Sequence, residues 1–578
     1  MHQQAKHWYM PLILFALSVI FLQGCAISPR DYLNAGIQLY DQKQWDKAEA
    51  QFSKAIENKD DFTEAHFYRG MCRINMGNNE KAKEDFEKVV QLESGNVEAL
   101  VRLSEINILD KDYSKAIENL EKASKLKDSV TIRNLMGIAL YRQGKFEDAF
   151  KQYAAAQGME PENVDVQSNL GLYYYEIKHD PAKAREYYEK ALKTNPTSSE
   201  LNRRMGNILQ LENDYDAAVE RYRKSLESDP GNKDAMMDLA FALYQIGDFE
   251  ESMKTVGGLL EKNKEIPLAL VLRGMLYLHQ KDGKDKAKAD FEQAAKIAPN
   301  MPDAHIRLGM FLLEQEKDPK GAAAEFDKAI EASPANSIAN YFAAKAYYAA
   351  GNKAEASKRL NEALKINPRI YFDEALLPQK YFDDAKKDES RKMLREILAC
   401  QKKGNVNDAF VKITEFIGQN PNSEIGQFYA GNILFVSSKP ADAMKSFNEA
   451  VKLNPDFLQA YLSRGNVLFE MGKNREALAD YDKALRIDPL CVTALTSKGN
   501  VYALGLNNYK SALKQFEEVL KIAPDFCEAY FFKGKCLMKL GKKKEAAAAL
   551  EQFVKTAGDS YREQKTMAQD DLKKLKKK

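Results

Sequence analysis

Residues 431–455 decide the fold, and they read GNILFVSSKPADAMKSFNEAVKLNP. The stretch returns 34 positions later, at residues 465–489, as GNVLFEMGKNREALADYDKALRIDP. In both copies a Gly is followed by an Ala, an aromatic residue and a second small residue, and a Pro closes the copy. Apolar residues recur in each half at the three- and four-residue spacing of an amphipathic helix. Each copy therefore predicts two helices that pack on each other and end at the Pro.

Outward from this stretch, the same pattern extends over residues 29–558. A Gly in the turn between the two helices, such as Gly77 or Gly472, predicts a C-cap. The second-helix aromatic is expected to fill the gap toward the next copy. Where a copy has one extra residue, we expect that residue in the interhelix turn. We assign fifteen copies, which carry at the small first-helix position Gly36, Gly70, Ser104, Gly137, Gly171, Gly206, Ala240, Gly274, Gly309, Ala344, Ile397, Gly431, Gly465, Gly499 and Gly534.

This order of residues resembles the tetratricopeptide repeat, whose motif runs Leu-Gly-x-x-Tyr, then Ala-x-x-x-Phe-x-x-Ala, then Pro. The resemblance implies an all-α fold, a right-handed superhelical solenoid of about fifteen helix-turn-helix repeats. We expect a first array of about ten repeats at residues 29–368 and a second of about five at 390–558. The connecting segment, 369–389, is either an ordered link or a divergent half-repeat. Residues 559–578 are predicted as a capping helix with a Lys-rich tail.

The first 25 residues differ from the rest. An apolar run at residues 11–21 is too short to span a bilayer, so residues 1–24 are predicted as a signal peptide. The run leads into Leu22-Gln23-Gly24-Cys25, which resembles the lipobox of bacterial lipoproteins. The resemblance implies that Cys25 is the lipidated mature N-terminus, with residues 25–28 leading into the repeats, and that the anchor lies in the outer membrane. An ordinary secretory signal or an uncleaved anchor is the alternative.

Composition and motifs exclude several function classes. Lys plus Arg number 86 against 84 Asp plus Glu, so no global field points to nucleic acid. The sequence has no Walker loop, nucleotide-binding glycine motif, nucleophile elbow or zinc-binding HExxH. We therefore expect no enzyme, no catalytic residue, no metal and no cofactor. Surface or groove positions are expected for the isolated histidines, and burial as thiols for the remaining cysteines. These are His66, His179, His279 and His305, and Cys72, Cys400, Cys491, Cys527 and Cys536.

A second face of each first helix is left over from packing. It carries the residues three before, one after and four after the Gly. In tetratricopeptide proteins that face lines a concave groove that holds extended peptides or helices, and the resemblance implies the same here. The predicted groove residues are Tyr141, Tyr175 and Tyr244 in the first array and Phe428, Asn432, Phe435, Asn466, Phe469, Asn500 and Phe531 in the second.

The three groove asparagines, Asn432, Asn466 and Asn500, recur at one register. They predict a ladder of amides that would hydrogen-bond the backbone of a bound peptide. The alternative is that Asn after the Gly belongs to the consensus of the repeat.

These observations predict a membrane-anchored scaffold that binds protein partners in the bacterial cell envelope, on the periplasmic side. Components of pilus, secretion or outer-membrane assembly are the expected partners. The alternative is a scaffold of exopolysaccharide synthesis or export. A glycan-binding accessory of an enzyme is a third possibility, but glycan sites favour exposed Trp and the chain after Cys25 has only Trp45.

Overall fold

The structure is a computed structural model in which residues 28–372, 393–398, 400 and 404–576 are described. Cys25, the signal peptide and residues 373–389 of the connecting segment lie outside them. Every regular element in the described ranges is a helix, and the consecutive helix pairs confirm the all-α solenoid. None of the described helices is both long and apolar enough to cross a membrane. The chain divides into two compact units, Met1–Leu201 and Asn202–Lys578.

Unit 1 is a succession of helix pairs. Its helices are α1 (Pro29–Asp41), α2 (Trp45–Asn58), α3 (Thr63–Asn75), α4 (Asn79–Leu92), α5 (Val97–Leu109), α6 (Tyr113–Leu126), α7 (Val130–Arg142), α8 (Phe146–Met159), α9 (Val164–Glu176) and α10 (Pro181–Thr194).

Unit 2 continues the pattern and ends in a single helix, α30. Residues 393–398 are also helical. Its helices are α11 (Ser199–Leu211), α12 (Tyr215–Ser228), α13 (Lys233–Ile246), α14 (Phe249–Lys262), α15 (Pro267–Tyr277), α16 (Lys284–Ile297), α17 (Pro302–Phe311), α18 (Pro319–Ala332), α19 (Ser337–Ala349), α20 (Lys353–Ile366), α21 (Val406–Gln419), α22 (Glu424–Val436), α23 (Pro440–Leu453), α24 (Leu458–Glu470), α25 (Asn474–Ile487), α26 (Val492–Asn500), α27 (Tyr509–Ile522), α28 (Cys527–Lys539), α29 (Lys543–Thr556) and α30 (Arg562–Lys576).

Local signals fix where these helices begin and end. Many begin at an Asn, Asp or Ser whose side chain accepts a backbone N–H of the first turn, as Asn96 does from Ala99 at 3.1 Å. Pro occupies the first turn of some helices, such as α10 and α18. A backbone N–H in the first turn has no acceptor within the helix, so a Pro there costs no hydrogen bond. The six turn glycines expected as C-caps all have positive φ, as Gly77 does at 77° and Gly247 at 88°, which confirms that expectation.

The two helices of a repeat meet at the first-helix Gly. A Cβ on Gly137 would lie 2.4 Å from Cε1 of Tyr153, and one on Gly431 would lie 2.6 Å from Cε1 of Phe447. The aromatic ring therefore covers the Gly of its own repeat. The same ring contact, at 2.4–2.9 Å from the ideal Cβ, occurs at Gly36, Gly70, Gly137, Gly171, Gly206, Gly274, Gly309, Gly431, Gly465 and Gly499.

In several repeats the second-helix ring also contacts a ring of the next repeat, as Phe326 does with Phe342 and Phe516 with Phe532, at 5.8 and 5.6 Å between ring centroids. These contacts agree with the expectation that the ring fills the gap toward the next copy.

Repeats without this Gly have a smaller second-helix partner. Ala344 is matched with Leu360, and both are buried. Ala240 is matched in the same way with Val256, and Ser104 with Leu120. Because interiors are close-packed, a Cβ on one helix requires a smaller side chain on the other. In these three repeats the second-helix side chain is therefore aliphatic, where ten of the repeats with Gly have a ring.

Two of the repeats with an extra residue take it up within the first helix. In the repeats of Gly309 and Gly499 the first helix ends in a π-helical turn, Leu312–Glu316 and Val501–Gly505. A π-helical turn absorbs one residue without lengthening the connection. The expectation that the extra residue lies in the interhelix turn is therefore wrong for these two repeats.

Unit 2 also contains hydrogen bonds between repeats that are far apart in sequence. The Tyr341 hydroxyl donates to Asp488 Oδ2 at 2.6 Å, and the Tyr371 hydroxyl donates to the Leu490 carbonyl at 2.6 Å. Burial raises the pKa of both tyrosines well above its usual value, so the hydroxyls stay protonated as donors. In a simple solenoid each repeat contacts only its neighbours. Unit 2 is therefore more than a one-dimensional stack of repeats. The expected array boundaries at residues 368 and 390 stay a prediction.

The Gly–ring contact gives a stability prediction. Gly431→Ala forces a Cβ against Phe447 and should destabilise the protein by about 1–3 kcal/mol. Phe447→Leu alone should also destabilise, because it leaves a cavity. The double variant recreates the Ala344–Leu360 combination and should lose clearly less than the sum of the single losses. Urea unfolding of the four proteins measures this, and strictly additive losses would contradict the size-matching argument.

Candidate partner-binding site

The residues left over from packing line one face of the second array. We call it the partner face and define it as the residues one, four and five after Gly431, Gly465 and Gly499. These glycines belong to α22, α24 and α26. The first position of the partner face carries Asn432, Asn466 and Asn500, all half-buried. These three helices are neighbours, since α22 contacts α24 and α24 contacts α26. The structure therefore places the three asparagines at equivalent positions on adjacent helices.

Asn466 and Asn500 differ in their hydrogen bonds. Asn466 Oδ1 accepts the hydroxyl of Tyr481 at 2.7 Å. Asn207, at the same register, accepts the hydroxyl of Tyr222 at 2.7 Å. This bond is possible only where the second-helix aromatic is Tyr. An Asn after the Gly thus has a structural role in those repeats, in addition to any role toward a ligand.

Asn500 lies opposite a phenylalanine, Phe516, which offers no hydroxyl. Its Oδ1 is buried and has no hydrogen-bond partner in the described part of the chain. The same holds for Oγ1 of Thr496, one turn earlier on α26. Buried polar atoms are paired in most proteins, and an unpaired one costs about 1–3 kcal/mol. Asn500 Oδ1 marks a place on α26 where a hydrogen-bonding ligand or a water would be stabilised, whereas Thr496 is only 6% exposed and stands three before the Gly.

Three of the predicted groove aromatics are core residues. Phe428, Phe531 and Tyr244 are only 5%, 7% and 3% exposed. The ring of Phe428 lies 4.9 Å from that of Phe457, which precedes the next first helix, and Phe531 lies 5.1 Å from Phe553. The residue three before the Gly thus lies in a seam between helices. This corrects the expectation that these side chains are available to a partner.

The remaining predicted aromatics are half-buried. Phe435 and Phe469, four after the Gly, pack with one side against the core. Tyr175 is half-buried on α9. The hydroxyl of Tyr141 donates to Glu176. Burial is the main reason why the pKa of Tyr141 is raised, and the hydrogen bond to the Glu176 carboxylate raises it further. Tyr141 therefore already has a partner inside unit 1.

The open apolar surface lies one position further along than predicted. Val436 and Leu504, five after the Gly, are 66% and 68% exposed. The intervening repeat has the exposed Glu470 at this position, and the exposed Met471 follows it. Helical periodicity indicates this position, because it lies close to the residue one after the Gly on the helix surface. Exposed apolar side chains on consecutive repeats are typical of a contact surface.

The histidines, cysteines and acidic side chains of the described residues do not cluster as metal ligands. Among the described residues no group of three or more His, Cys, Asp or Glu could hold a metal ion. His66 and His305 are buried, which corrects the expectation of surface or groove positions. Cys72, Cys491 and Cys536 are buried as expected, whereas Cys400 and Cys527 are half-buried. Burial raises the pKa of the Cys536 thiol to about 11, which keeps it protonated and unreactive.

Family models described as tetratricopeptide repeat match much of the chain. The matches cover residues 63–96, 134–199, 209–273, 283–337, 313–376, 458–490 and 503–569. The chain belongs to the tetratricopeptide repeat family. Repeats of this family generally bind other proteins, so a protein-interaction role follows for this chain.

Several curated proteins are similar to parts of the chain. The type IV pilus assembly protein PilF of Pseudomonas aeruginosa is 28% identical over 178 residues, which cover 29% of this chain and 68% of that protein. Hsp70-Hsp90 organizing protein 1 of Glycine max is 26% identical over 258 residues, 37% of this chain and 45% of that protein. Protein O-mannosyl-transferase TMTC1 of Mus musculus is 31% identical over 151 residues, 25% of this chain and 16% of that protein.

Solved structures of similar fold include one of Pseudomonas aeruginosa pilF, with a TM-score of 0.33 and 23% identity. That match covers 36% of this chain and 96% of the other. The Cut9–Hcn1 heterotetramer matches with a TM-score of 0.39 and 15% identity over 88% of this chain and 98% of the other.

The different bonding of the asparagines gives a prediction. Asn466→Ala removes the acceptor of a buried Tyr481 hydroxyl, so it should destabilise the protein by about 1–3 kcal/mol. Asn500→Ala removes an acceptor that already lacks a partner, so the loss should be about 0.5 kcal/mol or less. Urea midpoints of the two variants measure the difference. Equal losses would show that the Tyr481 bond contributes nothing that Asn500 lacks.

Proposed function

We propose that the chain is a non-enzymatic scaffold that holds a segment of a protein partner on the partner face of its second array. The observation that carries the proposal is the buried Oδ1 of Asn500, which has no hydrogen-bond partner among the described residues. A backbone N–H of an extended segment would donate a hydrogen bond to Asn500 Oδ1. The apolar side chains of the segment would cover Val436 and Leu504. Of the predicted asparagine ladder, the proposal keeps Asn500 and Asn432, which lie on α26 and α22 on either side of the helix that carries Asn466.

The cellular setting of the proposal is the bacterial envelope. The sequence Leu22-Gln23-Gly24-Cys25 supports a lipid on Cys25 and an anchor in the outer membrane, with the repeats on the periplasmic side. The similarity to a pilus assembly protein supports a component of pilus, secretion or outer-membrane assembly as the partner. Both features favour a scaffold that recruits envelope proteins to the membrane surface.

Removal of the lipid site tests the anchor. Cys25→Ala should leave the protein unprocessed or move it out of the membrane fraction, because a lipidated cysteine supplies several acyl chains at one residue. Membrane fractionation and the mass of the mature N-terminus measure this. Cys400→Ala is the control, since it removes a cysteine in the repeats and should fractionate like wild type. Unchanged maturation and fractionation of Cys25→Ala would refute the anchor.

Introduction of positive charge on the exposed apolar surface tests the partner face. Val436→Lys together with Leu504→Lys should abolish capture of a partner from envelope extract, because two ammonium groups would have to be desolvated in the interface. Both side chains are exposed, so the fold should tolerate the change. Mass spectrometry of the captured proteins and circular dichroism of the variant measure the two effects.

The chain supplies a matched control in Leu109. It stands five after Ser104 in unit 1 and is also 68% exposed. Leu109→Lys should keep every partner that wild type captures. Retention of all partners by the Val436/Leu504 variant would exclude the partner face, and equal losses in both variants would show that charge alone, and not this face, governs capture.

A further inference from the structure

Two short stretches near the end of the second array are strongly basic. Residues 539–545 contain four Lys and one Glu, and residues 570–578 contain five Lys and two Asp. In these sixteen residues the basic side chains outnumber the acidic ones by six, whereas Lys and Arg outnumber Asp and Glu by two in the whole chain. The positive charge of the chain is therefore concentrated in these stretches, which the structure describes as far as residue 576.

Packing of the last helix brings the two stretches to one surface. Leu575 of α30, which lies inside the second stretch, packs against the cluster of Leu537, Ala546 and Ala549. Ala546 follows directly after the first stretch, so the two sets of lysines flank the same contact between α29 and α30. Every Lys of residues 539–544 and 573–576 is exposed. We call these seven lysines the basic end.

The carboxylates nearby are too few to neutralise the basic end. Asp571 is shared by two lysines, with Lys535 Nζ at 2.5 Å and Lys574 Nζ at 3.4 Å. Three more carboxylates are each paired with one Lys of the basic end at 2.9–3.1 Å, and they are Glu545, Glu551 and Asp570. The lysines of the basic end that have no carboxylate partner among the described residues are Lys539, Lys543 and Lys544. An uncompensated positive field therefore remains at this surface.

The three consecutive lysines of the basic end do not stabilise the repeat that carries them. Lys542 is the N-cap of α29 and makes no side-chain cap bond, and Lys543 and Lys544 occupy the first turn. Cations there are unfavourable, because the macrodipole makes this end of a helix positive. After the other turn glycines of positive φ the same three positions contain at most two cations, and after Gly77 and Gly247 they contain none. An anion outside the chain therefore explains these lysines better than folding does.

We propose that the basic end binds the surface of an anionic phospholipid membrane. Clusters of lysines bind such surfaces through charge, and each Lys near the surface increases the binding constant about fivefold. Nucleic acid is another polyanion, but its recognition favours Arg and stacking aromatic side chains. Protein partners favour Trp, Tyr and Arg as anchors. Residues 539–545 and 570–578 contain no Arg and no aromatic residue, so their chemistry fits a lipid surface best.

The contact with the membrane involves no residue of the partner face and needs no lipid on Cys25. Where an acyl chain is present, a polybasic surface adds to its membrane affinity. Loss of the contact should therefore leave capture of partners at the partner face unchanged.

Lysine acetylation in the full chain tests the proposal, because an ammonium group held at lipid headgroups is shielded from the reagent. The protein is treated with acetic anhydride alone, with phosphatidylglycerol vesicles and with phosphatidylcholine vesicles, and mass spectrometry gives the rate at each Lys. Lys543 and Lys573 should react at least about tenfold more slowly on phosphatidylglycerol, and at an unchanged rate on phosphatidylcholine. Salt at about 1 M should restore the rate, because the screening length falls to about 3 Å.

Lys445 is the internal control for this measurement. Its side chain is 80% exposed and pairs with Asp442 three residues earlier, as Lys573, which is 73% exposed, pairs with Asp570. Lys445 should react at one rate under all conditions. Equal slowing of Lys445 and Lys573, or equal slowing of Lys573 on both kinds of vesicle, would overturn the proposal.

Removal of three charges provides a second test. Lys543→Gln, Lys544→Gln and Lys573→Gln together should weaken binding about a hundredfold, so Lys574 should lose its protection on phosphatidylglycerol. The matched control removes three exposed, ion-paired lysines elsewhere in the second array and should keep that protection, and it combines Lys445→Gln, Lys452→Gln and Lys521→Gln.

Circular dichroism of both triple variants checks that the fold is intact. Equal protection of Lys574 in the two variants would contradict the proposal. Protection by duplex DNA without protection by phosphatidylglycerol would also contradict it and would assign the basic end to nucleic acid instead.

Discussion

The close contact between a first-helix Gly and a second-helix aromatic ring is the interaction on which most of the repeats depend. A methyl group at Gly171 or Gly206 would lie 2.4 Å from the facing ring, well inside van der Waals distance. The ring is almost completely buried in each case. Since the interior has no spare volume, the helix separation is fixed by the sum of the two side chains.

This packing rule determines which residues remain for function. The Gly, Ala and ring positions are occupied by contact within the repeat, and the residue three before the Gly is occupied by a seam with the neighbouring helices. Positions one, four and five after the Gly are what remains. Even at these positions, Asn466 already accepts a hydrogen bond from the Tyr481 hydroxyl. The partner face is therefore smaller than the pattern of the sequence indicates, and it is concentrated around α26.

The sequence predicts well what is local to one repeat. The helix pairs, the glycine turns and the leftover face all follow from spacing, because each depends on residues within about one turn or one repeat of each other. The burial of Phe428 could not be predicted, since a helical wheel of α22 contains no information on Phe457 of the next repeat. The π-helical turns were missed for a related reason. Residue counting shows that Gly309 and Gly499 begin longer repeats, but not how the backbone absorbs the extra residue.

The buried bonds of His305, to the Pro299 carbonyl and to Glu325, were not predicted, because an isolated histidine in the sequence was interpreted only as a metal ligand or as an exposed residue. The available signal was positional: His305 stands where Gln427 and Asn340 stand in other repeats, and their amides donate to the equivalent carbonyl. A side chain that replaces an amide at a repeated position inherits the amide's hydrogen bond. Its second nitrogen then needs a partner of its own, and a Glu on the second helix supplies it.

The bonds between distant repeats had no local signal at all. Tyr341 and Asp488 are 147 residues apart, and their meeting depends on how the small rotations between successive repeats accumulate. Their location bears on function, because Asp488 and Leu490 form the turn that leads into α26. The helix that carries Thr496 and Asn500 thus has its start fixed by two buried tyrosine hydroxyls from the α19–α20 region. A segment bound at Asn500 would contact a helix that is already held in place, so little of its binding free energy would be lost in ordering the site.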